Sequence, residues 1–475
     1  MIDSLKTSFK RAVINFSEFF NSPFLNKKLS RFYKASYNQK RWNHNMKIKT
    51  KNSDYKSVMA MAREERKKPL RPNILFRSLL GGLSWPTLKK VHFKLEKKNM
   101  ERLGKKECAL FLMNHSSFID LKIASCILYP RPFNIICEAD GFVGKEGLMR
   151  AIGCIPTHKF VAETSLVKDM MYSVRTLKDS ILLYPEASYS FDGTTPTPLP
   201  ESLGKMIKLL KIPVVMIETF GAFHRDPLYN RLQIRKVDVS AKMEYILSPE
   251  DIAEMSADEI NAVIKPHFAF DHFKWQKENG VRIPESFRAD GLSSVLYKCP
   301  HCQKEGMMKS SGTTIKCTSC SEEWNLEEDG SIKNKKGDDT FTSIPSWSKW
   351  EREEVEKEID RGEYKVDVRV NILMQRGNSA IFDIGKGRLV HTSDGFHLSS
   401  DDKALDFRRY PLDNYSVASD LYWYEKGDMI SIGDTEKVFY CFPIEKCDVA
   451  AKVRMATEYI YRRANEELRE KKIAK

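Results

Sequence analysis

His115 and Asp120 stand five residues apart in the stretch Asn114-His115-Ser116-Ser117-Phe118-Ile119-Asp120. An imidazole that takes a proton and a carboxylate that fixes its tautomer make a general base with its orienter. In one continuous α-helix, positions five apart lie about 140° apart around the axis and do not pair. The pairing therefore demands a strand-to-helix junction, with His115 in the turn and Asp120 in the first helical turn. The apolar run 109–113 before the motif reads as the buried strand. Leu121, Ile123, Ala124, Ile127 and Leu128 read as the apolar side of the helix.

A second constellation is Cys299-Pro300-His301-Cys302 with Cys317-Thr318-Ser319-Cys320, two C-x-x-C knuckles separated by fourteen residues. That spacing suits a tetrahedral four-thiolate zinc site made by Cys299, Cys302, Cys317 and Cys320. Four protein ligands leave no open position for water, so the zinc is expected to be structural, with His301 outside the ligand set. Cys108, Cys126, Cys137 and Cys154 fall in apolar patterns that packing explains. Ten cysteines in 475 residues are no disulfide framework, and thiols at metal spacing suit a reducing cytoplasm.

The net charge of +14 is unevenly placed. Residues 1–72 carry 18 Lys and Arg against 5 Asp and Glu, and residues 73–106 carry 9 against 2, so the remainder is net acidic. Ile2, Leu5, Phe9, Val13, Phe16 and Phe20 fall within about 80° on a helical wheel, with Lys6 and Lys10 beside them. An aromatic stripe flanked by lysines suits an anionic membrane surface. Basic residues interleaved with aromatics at 27–42 also suit nucleic acid, but no basic stripe follows the first knuckle, which disfavours that partner. No apolar run reaches 18 residues, so no membrane-spanning helix and no secretory signal is expected. The expectation is a cytoplasmic protein, peripheral at the inner face of the membrane.

Between about 73 and 290, short apolar strands alternate with helices, the pattern of an α/β layer. Strands are expected near 91–95, 108–113, 133–137, 180–184 and 212–217, with helices at 141–150, 165–178 and 202–210. A basic N-terminal region at 1–72 precedes this domain, with a solvated helix at 55–68. The ribbon at 295–326 follows, then a polar linker and a charged, solvated helix within 327–362. From 363 to 475, alternating strands end in one amphipathic helix, like a pleckstrin-homology-type barrel.

Four blocks in the α/β region resemble the glycerolipid acyltransferase family, typified by 1-acyl-sn-glycerol-3-phosphate acyltransferases. Asn114-His115 with Asp120 matches the first block. Ile155-Pro156-Thr157-His158-Lys159 is similar to the second. Tyr184-Pro185-Glu186-Ala187-Ser188-Tyr189-Ser190 resembles the third, F-P-E-G-T-R-S, and Ile212-Pro213-Val214-Val215 the fourth. The resemblance implies a glycerolipid-acyltransferase-like sheet with flanking helices. It also implies transfer of a fatty acyl chain from acyl-CoA or acyl carrier protein to a lysophospholipid or glycerol-phosphate hydroxyl. His115 would be the base and Asp120 its partner, with Glu186, Ser188 and Tyr189 at the acceptor. Two residues depart from the third block: Ala187 replaces its Gly, and Tyr189 replaces the Arg expected to hold the acceptor's phosphate. Tyr cannot offer bidentate geometry. Lys159 or Arg150 would then grip the phosphate, or the acceptor lacks one. From another class comes the alternative of a degenerate acyltransferase fold that only binds membrane or nucleic acid.

Overall fold

The computed structural model describes residues 48–194, 198–337, 340–378, 380–445 and 449–473. The expected N-terminal amphipathic helix and the basic-aromatic stretch after it lie outside these residues. Residues 49–423 and 427–473 belong to one compact unit.

The strands are β1 (Thr50–Asn52), β2 (Lys94–Lys98), β3 (Leu110–Met113), β4 (Phe133–Glu138), β5 (Cys154–Thr157), β6 (Ser180–Leu183), β7 (Val214–Phe220) and β8 (Ser240–Leu247). The last seven form one sheet in the order β2-β8-β7-β3-β6-β4-β5. Every pairing is parallel except β7 with β8. The fold of this region is therefore α/β. Strand β3 is central and all four of its residues are buried, as expected of a parallel strand covered on both faces. Helices Ile119–Ile127, Thr164–Tyr172 and Ser202–Leu210 connect the strands, and the helix Ile74–Lys90 lies along the first of them. Because β3, β4, β5 and β6 run parallel, their carboxyl ends share one edge, where α/β sheets place their ligands.

Residues 153–156, expected as the entry to a loop, and the helix expected at 55–68 differ from the sequence reading. Residues 154–157 form the edge strand β5, because Ile135–Glu138 supply a parallel partner. The helix that begins at Tyr55 ends at Ala60, well before Lys68. Arg376 explains the stop: its guanidinium takes the carbonyls of Val58, Met59 and Met61 at 3.1, 2.7 and 2.6 Å. The extended run beyond is tied down by Arg66 with Asp169, Lys67 with Glu146 and Arg71 with Asp179. This basic stretch is exposed, as expected, but is tied to the α/β domain by these pairs.

The ribbon is an antiparallel meander, β9 (Met308–Ser311), β10 (Thr314–Cys317), β11 (Glu323–Leu326) and β12 (Ile332–Asn334). β12 falls inside the expected linker, where Ile332 and Asn334 are buried against the sheet. The helix Ile344–Asp360 is likewise not fully solvated. Trp347, Ser348, Glu351, Val355 and Ile359 form a buried face, and Trp347 meets Trp324 at 4.9 Å. Strands β13 (Val366–Gln375), β14 (Ile381–Thr392), β15 (Gly395–Ser400), β16 (Asp406–Arg409), β17 (Ala418–Asp420), β18 (Met429–Gly433) and β19 (Val438–Pro443) make the β-rich C-terminal sheet. β1 joins it, parallel to β14, so residues 50–52 belong structurally to this module. The helix Val449–Ile473 closes the chain.

Candidate active site

The first block occupies the junction its spacing demands. β3 ends at Met113, His115 lies in the turn, and Asp120 is in the first turn of Ile119–Ile127. Asn114 builds the turn: its Oδ1 accepts from the Thr219 N–H at 2.8 Å and its Nδ2 donates to Ser116 Oγ at 3.0 Å. The ends of β3 and β7 are thereby joined. Asp120 is fully buried. Its Oδ2 accepts from the backbone N–H groups of Ser116 and Ser117 at 2.7 and 3.0 Å and lies 3.2 Å from His115 Nδ1. Nε2 is the remaining ring nitrogen.

The third block pins the same turn from β6. Glu186 Oε2 accepts from the His115 N–H at 2.7 Å, and the Ser190 N–H donates to the His115 carbonyl at 2.9 Å. The His115 ring stands between Tyr184 and Tyr189, at centroid distances of 4.2 and 3.9 Å. Phe118 stacks on Tyr189 at 5.3 Å. Tyr189 thus packs against the histidine ring at an interplanar angle of 31°. Ala187 adopts φ 56°, the left-handed region in which glycine is unstrained. This explains why the resembled block has Gly there.

Burial pushes the Glu186 carboxyl up to about 8; the His115 N–H and Arg454 oppose this, and Asp120 adds to it. The folded value lies above the ordinary 4.5. The stability Glu186 contributes is therefore full below about pH 4.5 and is lost as pH rises through about 8. Against Glu186→Gln, which cannot ionise, wild type should lose relative stability across that window in urea denaturation. Glu138, also held at about 8, titrates in both proteins and cancels. A flat difference curve would contradict the buried acid.

The other expected site residues are committed elsewhere. Ser188 is buried and accepts a 2.8 Å hydrogen bond from Arg454. Arg150 donates to the backbone carbonyls of Lys67 and Lys68. Lys159 follows β5 and pairs with Glu138 at 2.5 Å and Asp420 at 3.6 Å. Its burial disfavours the charged form, but the carboxylates of Asp420, Glu138 and Asp140 outweigh this and raise its pKa. Neither cation is a free phosphate grip. Lys159→Met would leave one buried and two part-buried carboxyls together and should destabilise the fold by up to about 3–5 kcal/mol, read by denaturant titration.

Two residues escaped sequence reasoning. Tyr184 reads as the end of an apolar strand, and only the sheet places its ring on His115. Arg454 lies 266 positions from Ser188. Its one sequence signal is a charged pair, Arg454 and Glu458, set four apart among the buried Val453, Met455 and Ala456.

The four cysteines converge as their spacing predicts. Their sulfurs all lie within 4.8 Å of one another, with Cys299–Cys320 and Cys302–Cys317 each at 3.7 Å. Tetrahedral zinc with ~2.3 Å Zn–S bonds would hold its sulfurs ~3.8 Å apart, so the donor set fits.

Residues 94–218 match the family model described as Acyltransferase. The chain carries an acyltransferase domain. The matched segment runs from β2 into β7 and contains His115, Asp120 and Glu186. A solved structure, the 1-acyl-sn-glycerophosphate (LPA) acyltransferase PlsC from Thermotoga maritima, is similar at 12% identity and a TM-score of 0.33. The similarity covers 40% of this chain and 76% of that one. No curated protein matches the chain at a significant level.

Proposed function

We propose that the protein transfers a fatty acyl chain from a thioester donor, acyl-CoA or acyl carrier protein, to the hydroxyl of a lysophospholipid or glycerol-phosphate acceptor. The observation that carries this reading is the His115–Asp120 pair, seated by Glu186 and lying inside the acyltransferase-matched segment. His115 Nε2 removes the acceptor hydroxyl proton as that oxygen attacks the thioester carbonyl. The tetrahedral intermediate collapses with C–S cleavage, and the leaving thiolate takes the proton back from the imidazolium. Asp120 holds Nδ1–H toward itself and stabilises the imidazolium charge, as do the two tyrosine faces. Since the acceptor supplies the nucleophile, no covalent acyl-enzyme is needed.

Phe118 and Leu121 are exposed at the head of the site helix, with Leu83 and Trp85 exposed on the neighbouring helix Ile74–Lys90. Apolar side chains beside a catalytic base suit a substrate delivered from a lipid surface. No helix among the described residues is long and apolar enough to cross a membrane. We therefore place the enzyme peripherally on an anionic membrane, at the inner face in a cytoplasmic setting. The ribbon's four thiolates hold a structural zinc.

A phosphate-free acceptor is the second reading. It is favoured by Tyr189 packing on His115 and by the engagement of Lys159 and Arg150. Acyl transfer from labelled acyl-CoA and acyl carrier protein to paired acceptors, with and without a phosphate, separates the two. Product only with phosphate-bearing acceptors supports the first reading, and preference for neutral acceptors the second. No product from either would refute acyl transfer.

A further inference from the structure

The third block is held by the C-terminal half of the chain as well as by its own domain. Arg454, on the helix Val449–Ile473, is buried and donates from Nη2 to Ser188 Oγ at 2.8 Å. Its guanidinium also lies over the Phe191 ring at 5.3 Å. Glu458, one turn on, lies 3.4 Å from Arg454 Nε and binds Arg352 and Ser416 at 2.7 and 2.8 Å. One residue past Phe191 the loop is caught again. Ser348, on the helix Ile344–Asp360, donates to Asp192 Oδ2 at 2.6 Å, and Asp192 Oδ1 accepts from Thr194. The second block is gripped in the same way by Asp420 on Lys159, and Trp423 Nε1 donates to Asp140, just after β4, at 3.1 Å.

We propose that Arg454 is a positioning residue for acyl transfer: from the C-terminal helix it holds Ser188, and thereby fixes the loop whose Glu186 and Ser190 seat the backbone of His115. The C-terminal module is then part of the enzyme and not a separate binding attachment. The contacts form a short chain. Arg454 bonds Ser188; two residues on either side, Glu186 takes the His115 N–H and Ser190 its carbonyl. The residue between Glu186 and Ser188 is Ala187, in a left-handed conformation at φ 56°. Such a strained position persists only when surrounding contacts over-determine it, and Arg454 supplies one of them. A loop released by even 1 Å displaces the base, and misplacement of that size can cost about 100-fold in rate.

This inference rests on the acyl-transfer reading, and the test separates the two. Arg454→Met should fold, because Glu458 keeps Arg352 and Ser416. Its kcat should fall about 10- to 100-fold with the donor KM changed less than about 3-fold. Ser188→Ala should fall in the same direction, and the double variant should be no slower than Arg454→Met alone. Arg454→Lys, which can still donate to Ser188, should recover part of the loss. Backbone amide exchange across 186–192 should quicken in Arg454→Met, a readout that needs no turnover. Unchanged kcat, or losses that multiply in the double variant, would overturn the positioning role. Unchanged exchange would overturn the hold itself. A wild-type protein that transfers nothing, with exchange still quickened in Arg454→Met, would instead overturn the acyl-transfer reading.

Discussion

Replacing His115 with alanine is expected to lower acyl transfer by about 10²- to 10⁴-fold, the usual contribution of a positioned general base. The fold should survive. The ring is partly exposed between two tyrosines, and losing such stacking costs about 0.5–1.5 kcal/mol per pair. The backbone anchors to Glu186 and Ser190 need no side chain at 115. Asp120→Asn makes the sharper test. Asp120 Oδ2 already accepts two backbone N–H groups besides facing Nδ1. If the Asn oxygen takes the place of Oδ2 it keeps those N–H bonds and still faces Nδ1, but the carboxamide is neutral. The imidazolium formed on proton transfer then loses the adjacent carboxylate that stabilises its charge. A loss comparable to that of His115→Ala is expected, measured as product formed in a single turnover by mass spectrometry. Undiminished turnover in either variant would remove His115 from the chemistry.

Stripping the ribbon is expected to have the largest effect on stability. Structural zinc contributes about 10–16 kcal/mol of apparent binding free energy in small zinc modules, and that energy is folding energy. Here the ribbon is not an isolated module. Its cysteines share one apolar core with Trp324, Trp347 and the C-terminal sheet. The Lys298 N–H donates to Glu351 at 2.7 Å, and Trp347 Nε1 donates to the Lys298 carbonyl at 3.1 Å. One residue beyond Trp347, Ser348 holds Asp192 of the third-block loop. Cys317→Ser, or incubation with a strong chelator, should therefore remove one zinc per chain, shift tryptophan near-ultraviolet circular dichroism, and abolish transfer together. Elemental analysis that finds no bound metal in active protein would refute the structural zinc.

Much of the α/β core was legible because its signals are local. An all-apolar β3, a histidine at its end and a helix with Asp120 in its first turn are separated by a few residues, so spacing alone restricts the geometry. The knuckles are legible for a related reason, since four thiolates at that spacing suit one tetrahedral ion. The misreadings share a different cause. The charged helix at 344–360 buries a face, residues 332–334 form a strand, and the basic run after Ala60 is extended and ion-paired. Each depends on a partner distant in sequence, and charge patterning cannot say whether a lysine meets water or a buried carboxylate.

By itself, the sequence determined the α/β pattern, the His115–Asp120 pairing condition and the four-thiolate ribbon, because each is set by short-range spacing and residue chemistry. Tertiary structure alone decided that Tyr189 lies on the histidine, that Lys159 and Arg150 are engaged, and that Arg454 reaches Ser188 from the last helix. Those outcomes turn on which surfaces meet. Packing the C-terminal helix and sheet against the carboxyl edge of the α/β sheet brings together charges that no local pattern relates.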